Sequence, residues 1–376
     1  MDRIRQLNVF YHKRKVGTLA LYKERLAAFE YDQEWLEDGF TISPFSLPLE
    51  KRVFIPKVDP FGGLFGVFAD SLPDGWGRFL VDRLMLRNRI DPAAVGNLNR
   101  LAIVGDSGMG ALSYRPDIRL GAVQPVMGLD RIAEECECML RTEYSKNLDE
   151  LFQLGGSSGG ARPKILTESD GEEWIIKFPA YDDRRDIGRQ EYEYSLCAKE
   201  CGVEMAETKL FPSERCAGYF GTKRFDRKSV RGGMTKIHML SVSAVLEISH
   251  RIPNLDYHLL MKLTLELTKD FSELLKLYRL MCFNVFAHNR DDHSKNFSYL
   301  YDEQNARYRL APAYDLTYSS SLNGEHATTV NGNGADPGMD DILAVAAQAG
   351  IQDVQARRIA SEIRECVETM LGEYLD

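Results

Sequence analysis

The sequence predicts an α+β fold in three parts: a β-rich module over residues 1–115, a small α/β lobe over 116–235 and a helical lobe over 236–376. Three observations carry this expectation. Strand-like runs such as LNVFYHKRKVGTLAL and RLAAFEYDQEW alternate with turns near the start. From Leu151 the pattern changes to a glycine-rich turn, a strand, a helix and a further strand. Beyond His238, apolar residues recur at three- and four-residue spacing.

Taken in order, Phe68–Leu86 (FADSLPDGWGRFLVDRLML) joins a Pro-Asp-Gly turn to apolar residues at helical spacing, and GDSGMGALSYRP returns to strand. Residues 116–150 read as a linker and a helix. A strand is expected over Glu173–Phe178, a helix over Arg189–Cys201 and a strand ending near Phe225. Long helices follow in NLDYHLLMKLTLEL and DFSELLKLYRLMCFNVFAHN, and the tail is helical again from Asp340 to Leu375.

At 376 residues the chain is long enough for two or three packed domains. Its apolar share of 44% and charged share of 27% argue against disorder and fibrous structure. No apolar run approaches the roughly 18 to 20 residues of a membrane span, and MDRIRQLNVFYHKRK lacks an apolar signal core. The expectation is a cytoplasmic protein without membrane contact. Seven cysteines without a CxxC pair argue against a disulfide framework and a structural zinc site. A net charge of −9 disfavours extended contact with nucleic-acid phosphate, so any role on DNA would pass through a partner.

The densest chemistry lies in His288–Asn296, HNRDDHSKN. Its Arg290, Asp291 and Asn296 match the kinase catalytic loop HRDxxxxN, with the histidine displaced by one residue. The spacing lets an aspartate accept a hydrogen bond from a substrate hydroxyl while the asparagine oxygen turns back to a magnesium ion. Asp292 offers a competing carboxylate, and a charged helix C-terminus would look similar. Asp315, in LAPAYDLTYSS, stands where a magnesium-binding aspartate is next required, with DLT in place of DFG. GGSSGGARPK supplies backbone N–H groups for a phosphate nest, or else a flexible linker. Lys177 sits in the apolar strand WIIKFPA, where phosphates and a helix glutamate, Glu191 or Glu193, would satisfy it; an exposed edge-strand lysine is the plainer reading. These pieces occur in the order that phosphoryl transfer from ATP requires.

Over nearly its whole length the chain resembles the HipA family. FADSLPDGWGR and VGDSGMGAL resemble its N-terminal signatures; GGARPK, the lysine strand, QEYEYSLCAKECG, TKRFDR, RDDHSKNFS and APAYD resemble its kinase core in order. The resemblance implies a kinase-like two-lobed fold and a serine/threonine protein kinase using ATP and Mg2+. Asp291 would be the catalytic base, Asn296 and Asp315 would hold magnesium, Lys177 would contact ATP phosphates and Glu191 would orient it. Gly159, Gly160, Ala161, Arg162, Pro163 and Lys164 align with the phosphate loop. Lys223, Arg224 and Phe225 fall where family members contact adenine, with Lys223 replacing a frequent glutamate; His293, Ser294, Lys295 and Tyr314 line the nucleotide site. Autophosphorylation in the glycine loop shuts such kinases off, and Ser157 and Ser158 are both candidates. The family's toxins phosphorylate aminoacyl-tRNA synthetases, arrest growth and are neutralised by a HipB-like DNA-binding antitoxin.

Two further readings follow from the same residues. One is a non-catalytic pseudokinase acting as corepressor with an antitoxin. The other is a metal-dependent hydrolase built on His288, Asp291, Asp292 and His293.

Overall fold

A computed structural model describes residues 2–118, 128–141, 148–156, 158–230, 233–320 and 324–375. The chain opens with β1 (Gln6–Tyr11), β2 (Arg14–Tyr22), β3 (Leu26–Tyr31), the short helix α1 (Gln33–Asp38) and β4 (Val53–Phe54). Period-two alternation buries Leu7, Val9 and Tyr11 along β1. Asp32 starts α1 by accepting from the Glu34 N–H at 3.2 Å, which fixes Trp35 in the core. The one-turn helix α2 (Gly66–Ala69) leads through the Pro73-Asp74-Gly75 turn into α3 (Gly75–Arg87), and α4 (Asn97–Val104) precedes β5 (Leu112–Arg115). The five strands form one antiparallel sheet in the order β4-β3-β2-β1-β5. The expected β-rich module thus also carries helices.

Then come α5 (Leu129–Leu140), α6 (Leu148–Gly155), β6 (Lys164–Ser169), β7 (Glu172–Lys177), α7 (Ile187–Glu200), β8 (Thr208–Phe211) and β9 (Tyr219–Lys223). The strands make a four-stranded sheet in the order β6-β7-β9-β8. A hairpin, β10 (Arg227–Val230) with β11 (Gly233–Lys236), leads to β12 (Met239–Ser241) and α8 (Val242–Leu246). The remainder is β13 (Leu255–Asp256), α9 (Tyr257–Thr268), α10 (Phe271–Phe286), β14 (Ser298–Asp302), β15 (Arg307–Leu310), β16 (Thr328–Thr329), α11 (Met339–Gln348) and α12 (Asp353–Leu375). The helical tail divides after α11 at Gly350, whose φ of +80° is the left-handed conformation that ends helices.

The chain packs as two compact units. The first comprises Met1–Gly188, Leu210–Leu240 and Ala244–Glu247; the second comprises Arg189–Lys209, Ser241–Ser243 and Ile248–Asp376. In the first unit Trp76 and Leu80 of α3 share a core with Leu151 and Leu154 of α6 and with Ile165, Trp174 and Ile176 of the four-stranded sheet. In the second unit α10 is buried along most of its length, and Asp270 caps it by accepting from the Ser272 N–H at 2.9 Å. Among the described residues no helix is long and apolar enough to cross a membrane.

A buried histidine in the first unit links its stability to pH. His238 is 1% exposed, with Nε2 2.9 Å from the Ile42 carbonyl, and burial pushes its imidazole down from 6.5 to about 4. The unfolded chain binds a proton below 6.5 while the folded one stays neutral, so stability falls as pH drops from 6.5 to 4. The loss should reach about 3 kcal/mol. Urea midpoints of the wild type at pH 7 and pH 4.5 should show it, and His238→Gln should remove that part of the pH dependence.

Candidate active site

In the second unit, α10 delivers the chain into the segment His288–Asn296. The helix cannot continue, because His288 adopts φ of +51°. A buried chain of side chains then fixes the loop. Asn289 Nδ2 donates to Asn284 Oδ1 at 2.9 Å, Asn284 Nδ2 donates to the Tyr257 hydroxyl at 2.9 Å, and that hydroxyl donates to Asp292 Oδ2 at 3.1 Å. Asp292 also meets His326 Nδ1 at 3.1 Å and accepts from the Thr328 N–H at 3.0 Å, with no side-chain exposure. Burial, then the Asp292 charge, raises the Tyr257 pKa well above its ordinary range, so the phenol stays a donor.

The two adjacent carboxylates therefore have different surroundings. Asp292 is an acceptor locked inside the fold, while the Asp291 side chain is 63% exposed, with His293 Nε2 4.0 Å from its Oδ1. Asn296 Nδ2 donates to the Asp291 carbonyl at 2.7 Å, and the Asn296 N–H donates to the His293 carbonyl at 2.8 Å. With its nitrogen committed, the Asn296 amide presents its oxygen as the end available to a cation. The Tyr314 hydroxyl donates to the Lys295 carbonyl at 2.6 Å and lies 2.6 Å from Ser298 Oγ, which ties the loop to the residue preceding Asp315. Asp315 has φ of +59°, an uncommon conformation that aspartate tolerates better than most residues. Asn296 and Asp315 are hard oxygen donors of the kind magnesium takes. Ser294 Oγ and Arg290 Nε are buried without a partner among the described residues. Glu191 lies buried on α7, 2% exposed.

In the first unit the glycine turn links α6 to β6. Ser157 lies outside the described residues. Ser158 is 3% exposed, and its hydroxyl donates to the Gly155 carbonyl at 2.6 Å. Gly160, at φ of +82°, donates its N–H to the Asp74 carboxylate, and its carbonyl accepts from the Trp76 N–H at 2.9 Å. A Cβ on Gly160 would stand 2.6 Å from Lys164 Nζ, so that lysine folds back against the turn. Lys164 and Lys177 are direct partners in the β6–β7 register and share a face of the sheet. Ala161 is exposed, Pro163 is buried, and Arg162 pairs with Asp183 at 3.1 Å. Lys223 Nζ pairs with Glu172 at 2.9 Å, Arg224 directs its guanidinium into the buried carboxylate of Asp226, and Phe225 between them is half-buried.

Each lobe thus assembles its own share of the expected residues: Asp291, His293, Asn296 and Tyr314 in one, the glycine turn with Lys164 and Lys177 in the other. Asp74 and the Asp292 network were not singled out by their sequence surroundings. The Pro-Asp-Gly turn reads as a reversal within a family signature, with no role for the Asp74 carboxylate, and Tyr257, His326 and Thr328 are distant along the chain. His288, Asp291, Asp292 and His293 do not converge as a metal-binding group among the described residues.

The loop thus exposes one aspartate, buries its neighbour and ties the Asn296 amide nitrogen to its own backbone. Residues 156–371 match the model of the HipA-like C-terminal domain, and residues 7–115 match that of the HipA N-terminal domain. The chain belongs to the HipA family. Y4dM and Y4mE, two candidate kinases of Sinorhizobium fredii, are 22% and 26% identical to it; the alignments cover 98% and 83% of this chain and 91% and 77% of theirs. The HipA of Shewanella oneidensis MR-1, solved in complex with HipB and operator DNA, shares the fold with a TM-score of 0.71 at 17% identity, over 98% of this chain and 90% of that one.

Because Asp292 gathers three buried donors, Asp292→Ala should lower stability by about 3 to 5 kcal/mol. Asp291→Ala, at an exposed carboxylate, should change it by no more than about 0.5 kcal/mol. Urea unfolding of the two variants beside wild type measures the difference.

Proposed function

We propose that this chain is an ATP- and Mg2+-dependent serine/threonine protein kinase of HipA type. The observation that carries the reading is the division of labour in RDDHSKN, where Asp292 holds the loop and Asp291 faces solvent. Asp291 accepts the proton of a substrate hydroxyl as its oxygen bonds to the γ-phosphorus and the bond to the β–γ bridging oxygen breaks. Mg2+, when bound, neutralises developing phosphate charge. Asn296 and Asp315 would hold it, with Glu191 orienting Lys177.

The phosphate side of this reading rests on Lys164 and Lys177. Their direct pairing across β6 and β7 sets two cationic side chains side by side next to the glycine turn, an arrangement that phosphate oxygens would suit. Backbone groups of Lys223, Arg224 and Phe225 would meet the adenine; His293, Ser294, Lys295 and Tyr314 would border the nucleotide. The three-part division at residues 115 and 235 belongs to this proposal as a functional division of N-terminal module, nucleotide lobe and catalytic lobe.

By family analogy we extend the proposal to a growth-arresting toxin that phosphorylates an aminoacyl-tRNA synthetase in the cytoplasm. Its partner would be a HipB-like antitoxin, through which it reaches DNA; the Shewanella HipA complex supports that pairing. Inactivation would follow from phosphorylation of Ser157 or Ser158.

Two measurements test the enzyme. Asp291→Ala should cut phosphoryl transfer by about 100-fold or more while calorimetric Mg-ATP affinity stays near wild type. Asn296→Ala, Asp315→Ala and Lys177→Met should each weaken that affinity, and wild-type turnover in Asp291→Ala would refute the assignment. Incubation of the wild type with Mg-ATP should also yield a phosphopeptide from the glycine loop and a parallel loss of nucleotide affinity, with neither change in Asp291→Ala. A fully phosphorylated loop in enzyme of unchanged turnover would remove the switch.

A further inference from the structure

Four sulfur atoms of the second unit lie close together in two helical pairs. Cys197 and Cys201 stand one turn apart at the end of α7, where the Cys201 N–H still donates to the Cys197 carbonyl at 2.9 Å. Cys366 meets them from α12: all three Sγ atoms lie within 4.8 Å of one another, and the Cys197–Cys201 separation is 4.0 Å. One turn beyond Cys366, Met370 brings its Sδ to 3.8 Å from the Cys366 Sγ. A C-x3-C pair on one helix thus faces a C-x3-M pair on another.

The spacing fits coordination rather than disulfide chemistry. Three sulfurs arranged trigonally around an ion, with bonds near 2.3 Å, stand about 4 Å apart. A disulfide could join only two of the three and would leave an odd thiol in the cluster. Among the described residues no histidine, aspartate, glutamate or fourth cysteine joins the group. Structural zinc sites close with four cysteine or histidine ligands, whereas thiolates joined by a thioether suit Cu(I). Cys197 and Cys201 are buried, Cys366 is half-buried and Met370 is 42% exposed, so the site has a dry floor and an open mouth. Cys282 is also a buried free thiol yet falls outside this group, as expected of a cysteine that only packs.

We propose that Cys197, Cys201 and Cys366 bind one Cu(I) ion, with Met370 at the solvent side. Each ligating thiol releases its proton to water as the sulfur–copper bond forms, and copper enters and stays as Cu(I), so no oxidant or reductant takes part. The proposal is independent of the kinase reading.

The full chain, fully reduced under anaerobic conditions, is titrated with Cu(I) as its acetonitrile complex in competition with bathocuproine disulfonate. One Cu(I) per chain should be withheld from the chelator. X-ray absorption should show sulfur donors alone at about 2.3 Å. Cys366→Ser, at the half-buried position, should weaken binding by about 100-fold or more with an unchanged far-ultraviolet spectrum. Cys197→Ser should do the same, and Cys282→Ser should not. Copper surrendered wholly to the chelator by wild type, equal retention in a Cys197/Cys201/Cys366 triple serine variant, or nitrogen and oxygen donors around the ion would each overturn the proposal.

Discussion

The first unit depends on a carboxylate that never meets water. Asp226 has no exposure; its Oδ2 accepts from Arg224 Nη2, Arg227 Nη1 and the Gly110 N–H, each at 2.8 Å. Burial alone would push this carboxyl pKa up, but the two guanidinium charges and the Gly110 amide hold it below its ordinary value. The arginines reach further, Arg227 to the Gly108 and Gly110 carbonyls and Arg224 to Glu173 at 3.3 Å. Such a cluster is costly to desolvate and fails if one member is removed, so it specifies an arrangement more than it adds stability. What it specifies is contact between GDSGMGAL of the N-terminal module and TKRFDR at the end of β9 in the four-stranded sheet. A carboxylate satisfied from both sides locks the two in one register.

The same module holds the glycine turn. Gly75, at φ of +44°, has no room for a side chain because the Gly160 carbonyl lies against it, and Gly77 is similarly close to the Ser158 carbonyl. This explains why the Pro-Asp-Gly-Trp-Gly stretch needs both glycines. It lets α3 begin against the turn, with Asp74 accepting from the Gly160 N–H and the Trp76 N–H donating to the Gly160 carbonyl. The N-terminal module is therefore part of the loop's scaffold.

Legibility in the sequence followed locality. The α9 and α10 periodicity, the strand around Lys177 and the RDxxxxN spacing are readable because each depends on residues within one or two turns or along one strand. The roles of the neighbouring aspartates were not, since Asp291 and Asp292 differ only in what the fold brings to them: Tyr257 from the start of α9, and His326 and Thr328 from beyond Asp315. The pairing of Lys164 with Lys177 depends on strand register, which the intervening turn sets. The cysteines were counted for CxxC and passed over, because a metal-ready group made of i, i+4 pairs on two helices appears only when the helices pack.

On the kinase reading, the turn's present bonding bears directly on how it would switch. Ser158 is buried and spends its hydroxyl proton on Gly155, so it can receive a phosphoryl group only after the turn has opened. Once added, a phosphate of roughly 1.5 to 2 negative charges has no way back into that position without desolvation. The Gly160 N–H is already taken by Asp74, whose own charge would repel a phosphate. On that reading Asp74 would play two parts. It bonds the Gly160 N–H in the turn around a neutral serine, and its charge would disfavour the same arrangement around a phosphoserine, so modification would shift the balance toward an opened turn.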